Sequence, residues 1–357
     1  MKVLSNEKTD AAIGCLLGTA VGDAIGLPCE GLSKRRLQKI YRHPNKHHFC
    51  FGKGMISDDT EHTCMVAQSL IVSAGDERIF ARELAGRLKL WLLGLPAGVG
   101  FATLRAILKL WLGYSYRRSG VFSAGNGPAM RSAIIGLCYG DNLPKMRSLV
   151  KVSIRLTHTD PKAEWEALAV AIAAFLSSQK TLVTPQEYYQ KLAEILDAEA
   201  AEFLTLIQQA ADSAACRETA ASFSASIGKS QGVSGYVYHT VSVVIQVWLQ
   251  HQRDYQRAIG EIISLGGDAD TTAAILGGII GAGVGKEGIP QAWLDNLWEW
   301  PRTVEWMEAV AQRLAAVRDR EIKQTAVALA VWGILPRNLF FLLVVLWHGC
   351  RRLFPPW

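Results

Sequence analysis

The chain has 357 residues, of which 50% are hydrophobic and 20% are charged, a balance that excludes a disordered chain. Its net charge of +6 suits an anionic ligand but does not demand nucleic acid, so a nucleic-acid partner is disfavoured. The seven cysteines are irregularly spaced without a Cys-x-x-Cys pair, which argues against a disulfide framework and a structural zinc site. Because residues 1–10 are polar and lack the apolar segment of a signal peptide, we expect a cytoplasmic location.

Apolar residues recur three and four positions apart through most of the chain, which predicts amphipathic helices. The predicted helices cover residues 11–25, 60–73, 79–93, 101–112, 128–137, 163–177, 187–196, 203–215, 236–249, 254–264, 271–282 and 304–317. Strands and helices do not alternate, so a doubly wound sheet is disfavoured and the fold class is predicted to be all-α. Many glycines lie beside other small residues, which indicates close helix–helix packing. The basic run of residues 34–48 is interpreted as a solvated loop in preference to a phosphate or nucleic-acid contact.

The last part of the chain, residues 322–357, is predicted to be an apolar tail that follows one helical domain of residues 1–321. Its apolar run ends at Arg351 and Arg352, and residues 336–338 are expected to split it into pieces shorter than the about 20 residues that span a bilayer. Two interpretations are open. The tail either contacts a membrane, with its basic residues marking the cytoplasmic side, or forms a helical hairpin that packs on the same domain or on a partner.

Two short acidic clusters, far apart in the sequence, are the most informative segments. The first is residues 57–60, Ser-Asp-Asp-Thr, and the second is residues 266–271, Gly-Gly-Asp-Ala-Asp-Thr. Either cluster alone could simply cap a helix, but a cap needs one oxygen and each cluster carries a surplus carboxylate. Clustered carboxylates repel one another unless cations neutralise them, and hard divalent cations prefer carboxylate and hydroxyl oxygens. If the two clusters converge in space, they are expected to hold Mg²⁺ or Mn²⁺.

At these motifs the chain resembles the ADP-ribosylglycohydrolase family, which includes the dinitrogenase reductase-activating glycohydrolases. Five segments carry the resemblance in the family's order, over about residues 10 to 320. They are residues 14–26 with Glu30 following, 57–60, 125–131 (Gly-Asn-Gly-Pro-Ala-Met-Arg), 157–160 (Thr-His-Thr-Asp) and 266–271. The resemblance implies a compact multi-helix orthogonal bundle with a central dinuclear metal site.

The resemblance also implies roles for individual residues. The implied metal ligands are Ser57, Asp58, Asp59, Asp268, Asp270 and Thr271. The implied substrate-binding residues, in a glycine-rich loop and beside it, are Gly125, Asn126, Gly127, Met130 and His158. The candidate catalytic residues are Asp58, Asp59, Asp270 and Glu30. Asp23 is interpreted as structural, with its carboxylate bonding backbone N–H groups near the site.

The activity implied by the resemblance is metal-dependent hydrolysis of the N- or O-glycosidic bond that joins ADP-ribose to a modified protein, a small molecule or another acceptor. Two metal ions would fix the ribose and activate a water, and one of the aspartates would accept its proton. Glu30 would help to position the leaving group or a second water. Residues 97–103 lack the carboxylate that the dinitrogenase reductase branch carries there, which weakens the case for arginine-linked ADP-ribose.

Other functions are weighed against this activity. A catalytically silent ADP-ribose-binding or structural protein on the same fold is the main alternative, although a degenerate member is expected to have lost metal carboxylates and all four aspartates are present. A membrane-tethered accessory protein is a further alternative that depends on the tail. A nucleotide phosphohydrolase is disfavoured because no Gly-x-x-x-x-Gly-Lys-Ser/Thr run is present, and a serine or cysteine hydrolase because no nucleophile motif accompanies the histidines.

Overall fold

The computed structural model describes residues 2–41, 43–179 and 181–354, and in this part of the chain the all-α prediction is confirmed. The helices of the first half are α1 (Lys2–Gly26), α2 (Lys34–Ile40), α3 (Asp58–Ser73), α4 (Glu77–Leu93), α5 (Phe101–Trp111), α6 (Tyr116–Ser119), α7 (Ala133–Tyr139), α8 (Leu143–Arg155) and α9 (Pro161–Ser178). The helices of the second half are α10 (Pro185–Ile195), α11 (Ala201–Ala215), α12 (Ala220–Ser226), α13 (Val237–Gln250), α14 (Tyr255–Ser264), α15 (Ala269–Val284), α16 (Gln291–Leu294), α17 (Val304–Arg320) and α18 (Ile334–Arg351). Two short strands, β1 (Leu32–Ser33) and β2 (Gly266–Gly267), pair antiparallel.

Short 3₁₀ helices complete the described elements. They are Leu27–Cys29, Cys50–Gly52, Ala129–Arg131, Ala198–Ala200 and Val331–Gly333. The third of these lies where the sequence predicted the start of a longer helix over residues 128–137, so α7 begins later than expected.

Helix α1 packs against α15 through glycines, as the many glycines beside small residues had indicated. A Cβ atom added to Gly18 would lie 2.2 Å from the carbonyl oxygen of Gly277, and one added to Gly22 would lie 2.1 Å from that of Ala273. Only glycine therefore permits this backbone-to-backbone approach. The contacts run antiparallel, so the C-terminal end of α1 lies against the N-terminal end of α15. The most apolar 18 residues of segment Asn6–Cys29 are 94% buried, as expected for a helix at the centre of the core.

Replacing Gly18 by alanine is expected to destabilise the protein by about 1–3 kcal/mol or more, because the new methyl group meets a backbone carbonyl that has little room to move. The matched control is Gly86→Ala, within α4, where an added Cβ meets no atom within 4 Å. That change is expected to stabilise the protein by up to about 1 kcal/mol through helix propensity. Urea unfolding of both variants measures the difference. Equal stability of Gly18→Ala and the wild type would contradict the close packing.

Five of the described helices, α2, α6, α8, α12 and α16, were not predicted from the sequence. The basic run was interpreted as a loop, but this is wrong for Lys34–Ile40, which forms α2 with Ser33 as its N-cap. Helix α8 was also missed, because basic residues interrupt its apolar stripe. Its start is nevertheless marked in the sequence by Asn142, which accepts a hydrogen bond from the N–H of Lys145.

The tail leaves α17 as an extended segment of residues 322–330 and then forms α18. The extended segment is held by Gln68, whose side chain makes hydrogen bonds of 2.8 and 2.9 Å with the C=O and N–H of Val327. The expected split of the apolar run is wrong. Pro336 lies in the first turn of α18, where a missing N–H costs no helical hydrogen bond, and the helix continues through Arg337 and Asn338. A domain boundary near residue 321 stays a prediction.

Candidate active site

The first turn of α3 is fixed by Asp23, a fully buried residue of α1. Its carboxylate accepts hydrogen bonds from the N–H of Ser57 at 2.9 and 3.1 Å, and from the N–H and hydroxyl of Thr60 at 3.2 and 2.6 Å. Burial raises the pKa of Asp23 to about 7, although these hydrogen bonds oppose the rise. The interpretation that Asp23 bonds backbone N–H groups beside the first acidic cluster is confirmed. This contact positions residues 57–60 against the end of α1.

The second acidic cluster follows a tight turn at Gly266 and Gly267. Both glycines have positive φ angles, 73° and 84°, which residues with a side chain rarely adopt. A Cβ on Gly267 would lie 2.0 Å from the carbonyl oxygen of Val233, so the turn also requires glycine for space. The N–H of Gly31 donates to the carbonyl of Gly267 at 2.8 Å, and the pairing of β1 with β2 continues from there. The turn therefore joins the Glu30 loop to the start of α15.

The two acidic clusters meet. The hydroxyl of Thr271 donates to Oδ2 of Asp59 at 3.2 Å, across 212 positions of the sequence, and Ser57 Oγ donates to the same oxygen at 3.2 Å. Carboxylate oxygens of Glu30, Asp268 and Asp270 all lie within 4.8 Å of one another. The prediction that the clusters converge is confirmed.

Asp59 and Asp270 are buried and carry oxygens that lack a partner. Among the described residues, no hydrogen bond reaches Oδ1 of either side chain. Burial raises the pKa of both carboxyl groups well above the ordinary value, and neighbouring carboxylates raise it further. Unpartnered, crowded carboxylates beside the hydroxyls of Ser57 and Thr271 fit a hard divalent cation, which would neutralise the charge and take up the open oxygens.

Asp58 and Glu30 lie at the edge of this group. Asp58 is the first residue of α3 and is half-buried. Burial raises the pKa of Asp58, and the charges of Asp23, Glu61 and Glu30 raise it further. Glu30 is exposed to solvent, so its side chain is accessible to a ligand entering from outside.

The predicted substrate loop lies beside the second cluster. Asn126 donates from Nδ2 to Asp268 Oδ2 at 2.5 Å and to Thr240 Oγ1 at 3.0 Å, and its backbone N–H donates to Gly235. The side chain of Asn126 therefore orients a predicted metal ligand. Met130 is buried, and its carbonyl accepts a hydrogen bond from Thr63 of α3 at 3.1 Å. Direct contact of Asn126 or Met130 with a substrate stays a prediction.

His158 lies against the same loop. Its Nε2 is 3.5 Å from the position that a Cβ on Gly125 would occupy, and its Cε1 is equally far from that of Gly127. Nδ1 of His158 is 2.9 Å from the hydroxyl of Thr157. Burial, and then the charge of Arg131, lower the pKa of His158 to about 3, so the imidazole is neutral at physiological pH. With Nδ1 at Thr157, Nε2 of the neutral ring can donate or accept one hydrogen bond on the side of the loop, and the ring adds no positive charge.

Sequence reasoning missed the segment of residues 231–235, Gln-Gly-Val-Ser-Gly. It forms one wall of a cleft of about 640 Å³ whose other wall includes Glu30, Gly267 and Asp268. A Cβ on Gly235 would lie 3.1 Å from Asp268 Oδ2, so this glycine leaves room beside the carboxylate. The segment carries no acidic, basic or nucleophilic motif. Its two glycines, three positions apart just before α13, are the signal that could have identified it.

Comparisons with known proteins find relatives over most of the chain. A family model described as ADP-ribosylglycohydrolase matches residues 4–323. A protein of Archaeoglobus fulgidus described as uncharacterized is 30% identical over 321 residues, covering 87% of this chain and 98% of its own. The ADP-ribosyl-[dinitrogen reductase] glycohydrolase of Rhodospirillum rubrum is 26% identical, covering 81% of this chain and 90% of its own. ADP-ribosylhydrolase ARH3 of Gallus gallus is 27% identical, covering 78% of this chain and 87% of its own.

A solved structure described as an ADP-ribosylglycohydrolase-related protein complex has the same fold. The two chains superpose with a TM-score of 0.66 at 24% identity, covering 88% of this chain and 99% of the other. The family match and the named relatives support ADP-ribosyl hydrolysis as the general class of activity. With a family model that extends over nearly the whole of the described domain, this chain belongs to the ADP-ribosylglycohydrolase family.

Proposed function

We propose that this protein hydrolyses the glycosidic bond between ADP-ribose and an acceptor, with two Mg²⁺ or Mn²⁺ ions held by the two acidic clusters. The proposed ligands are Ser57, Asp58, Asp59, Asp268, Asp270 and Thr271. The observation that carries the proposal is the 3.2 Å contact of Thr271 with Asp59, since it joins the clusters into one site. Once bound, the ions would supply Lewis-acid chemistry, fixing the ribose hydroxyls and lowering the pKa of a water.

The protein's own residues would supply positioning and proton transfer. Among the described residues, Asp59 and Asp270 each keep one buried carboxylate oxygen without a partner, so each has an atom that can bind a metal ion or accept a proton from an attacking water. Asn126 holds Asp268 in place through its 2.5 Å hydrogen bond. The glycines at 125 and 127 leave space next to the neutral His158, where the diphosphate-bearing half of the substrate would lie.

The acceptor is proposed to be linked through oxygen rather than through the guanidinium of arginine. Thr103 Oγ1 lies 3.8 Å from the position of a Cβ on Gly127, so the start of α5 borders the substrate loop. Residues 97–103 contain no aspartate or glutamate, and a guanidinium leaving group would lack a counter-ion there. A hydroxyl leaving group needs no such charge.

We expect the full-length protein to release free ADP-ribose from an ADP-ribosylated serine peptide in the presence of Mg²⁺ or Mn²⁺. The same assay with ADP-ribosylated arginine is expected to be slower by at least about tenfold, the effect of a lost ionic contact of about 1.4 kcal/mol. Excess EDTA is expected to stop the reaction and added metal to restore it. Turnover that EDTA leaves unchanged would contradict the metal site, and faster turnover of the arginine compound would contradict the proposed linkage.

The second candidate, an ADP-ribose-binding protein without turnover, is tested in the same experiment. Calorimetric titration with free ADP-ribose would then show binding while none of the ADP-ribosylated compounds is cleaved. The complete set of four aspartates in the converged clusters favours the enzyme over this candidate.

A further inference from the structure

Helix α18 departs from an ordinary surface helix, because three of its polar residues face the protein and most of its large apolar residues face outward. The buried positions are Arg337, Asn338, Phe341, Val344 and His348. The exposed positions are large and apolar, and three of them are Leu339 at 49%, Leu343 at 66% and Trp347 at 69%. A soluble protein normally places these faces the other way round. The outward face therefore calls for a partner.

The inward polar residues make hydrogen bonds with the domain at both ends of α18, and Phe341 and Val344 pack in an apolar cluster between them. Near the start, Arg337 donates to the carbonyl of Ile56 at 2.6 Å and Asn338 donates to that of Gly94 at 2.7 Å. Near the end, Nε2 of His348 is 2.8 Å from the hydroxyl of Tyr41. These contacts hold the helix lengthwise against the protein. Its outward face cannot turn inward without breaking them.

Neighbouring aromatic side chains extend the apolar surface of α18. Phe340 packs edge-on against Trp298 with ring centroids 5.4 Å apart, and Trp300 packs against Trp332 at 4.9 Å. We call the exposed set the tail face, and define it as Trp298, Trp300, Trp332, Leu335, Leu339, Phe340, Leu342, Leu343, Leu346 and Trp347. Tryptophan is the residue type enriched where proteins meet the membrane–water boundary.

The tail face has a basic border and no acidic residue from its own segment. Residues 322–357 contain no aspartate or glutamate. Arg351 is exposed at the end of α18, and Arg35 and Lys39 of α2 line one cavity together with Leu353. The basic helix α2 thus adjoins the end of α18. Such a charge complements anionic lipid headgroups.

We propose that the tail face binds the surface of an anionic lipid bilayer, with α18 lying in the membrane plane. An apolar helix face with cationic flanks is the physical signature of interfacial binding. Segment Val331–Arg351 is apolar enough to cross a membrane by composition, but crossing would strip Arg337 from its ion pairs with the buried Glu299 and Glu61. An in-plane helix keeps those pairs and buries the leucines and tryptophans. The enzyme would then act beside a membrane surface.

The test is flotation of the full-length protein with phosphatidylcholine vesicles, with or without about one-third phosphatidylglycerol. Wild-type protein is expected to float with the anionic vesicles. The double variant Leu343→Glu/Trp347→Glu, changed at exposed positions only, is expected to lose at least about tenfold in bound fraction. Arg351→Glu is expected to weaken binding to the anionic vesicles and to make that binding less sensitive to salt. Leu182→Glu, at a residue 69% exposed in the loop between α9 and α10, is the matched control and is expected to bind like wild type.

Three outcomes would overturn the proposal. The first is wild-type protein that floats with neither type of vesicle, and the second is a Leu343→Glu/Trp347→Glu variant that floats as well as wild type. The third is a wild-type dimer in light scattering that this variant abolishes, without vesicle binding, since a second copy of the chain would then cover the tail face. Circular dichroism of each variant confirms that the fold is retained.

Discussion

Asp270→Asn is expected to reduce ADP-ribose release by more than about a hundredfold, beyond the roughly 10–100-fold typical of residues that only support a metal ligand. Asn keeps the size and one oxygen of the side chain but removes the charge. The carboxylate of Asp270 lies with those of Glu30 and Asp268 within 4.8 Å, and its Oδ1 has no hydrogen-bond partner among the described residues. The Asp270 carboxylate is therefore free to bind a cation or a proton, because no hydrogen bond within the described residues occupies its Oδ1. The matching change Asp59→Asn is expected to have an effect of the same size.

The same variant is expected to be more stable than wild type in EDTA. Burial and neighbouring carboxylates raise the pKa of Asp270 in the folded protein, so ionising it weakens folding. Because the pKa of Asp270 is higher in the folded protein, its contribution to stability is fully present only below the unfolded-state pKa of about 3.9. That contribution is lost as the pH rises through the pKa of the folded state. The stability advantage of Asp270→Asn should therefore grow between pH 4 and pH 8. Thermal unfolding in EDTA measures it.

Added Mn²⁺ should reverse the order, because a ligand that binds only the folded wild type raises its stability by mass action. The matched control is Asp254→Asn, at the exposed N-cap of α14, where Asn caps as well as Asp. This variant is expected to keep wild-type turnover and stability. An Asp270→Asn protein with near-normal turnover, or with an unchanged response to Mn²⁺, would remove Asp270 from the site.

The sequence was sufficient to predict the acidic clusters because each contains two aspartates, whereas a helix cap needs only one side-chain oxygen. It was also sufficient for most helices, since their apolar spacing and caps are local features. For example, the helix predicted over residues 187–196 is α10, which begins two residues earlier, after a reciprocal capping box of Thr184 and Glu187. Convergence of the clusters was implied by the family resemblance. The pairing of Thr271 with Asp59 depends on how α3 and α15 pack, and periodicity does not encode that.

Two features of the protein were beyond the sequence for different reasons. Residues 231–235 act through backbone shape, and a glycine next to a carboxylate has no side-chain chemistry to find. Arg337 was interpreted as an interruption of an apolar run, whereas it is buried against Glu299. A charged residue inside an apolar segment is itself a signal for a buried partner. The sequence does not show which residue is the partner, because Glu299 lies 38 positions away.

Arg337→Met is the second variant for which we expect a large effect, a loss of about 3–5 kcal/mol of stability. The side chain pairs with Glu299, and both are at most 5% exposed. Methionine preserves most of the volume but leaves Glu299 buried without its main counter-ion. The substitution also removes the guanidinium donor to the carbonyl of Ile56. The N–H of the same Ile56 donates to Glu299 at 2.7 Å. Since Ile56 precedes Ser57, turnover is expected to fall as well.

The pH dependence of the loss identifies its electrostatic origin. The pKa of Glu299 is raised by burial even with Arg337 in place, and removing the arginine would raise it further. Because a raised pKa costs stability as pH rises, Arg337→Met should be closer to wild type at pH 5 than at pH 8 in urea unfolding.

The double variant Arg337→Met/Glu299→Gln separates charge from packing. Replacing both partners of a buried pair is often nearly neutral, so the double variant is expected to recover most of the lost stability and its pH dependence. Gln also keeps an oxygen for the N–H of Ile56. If the double variant is as unstable as the single one, the ion pair is not what holds α18. The helix would then depend on the contacts of Phe341 and Val344 with Leu27, Phe49 and Met55.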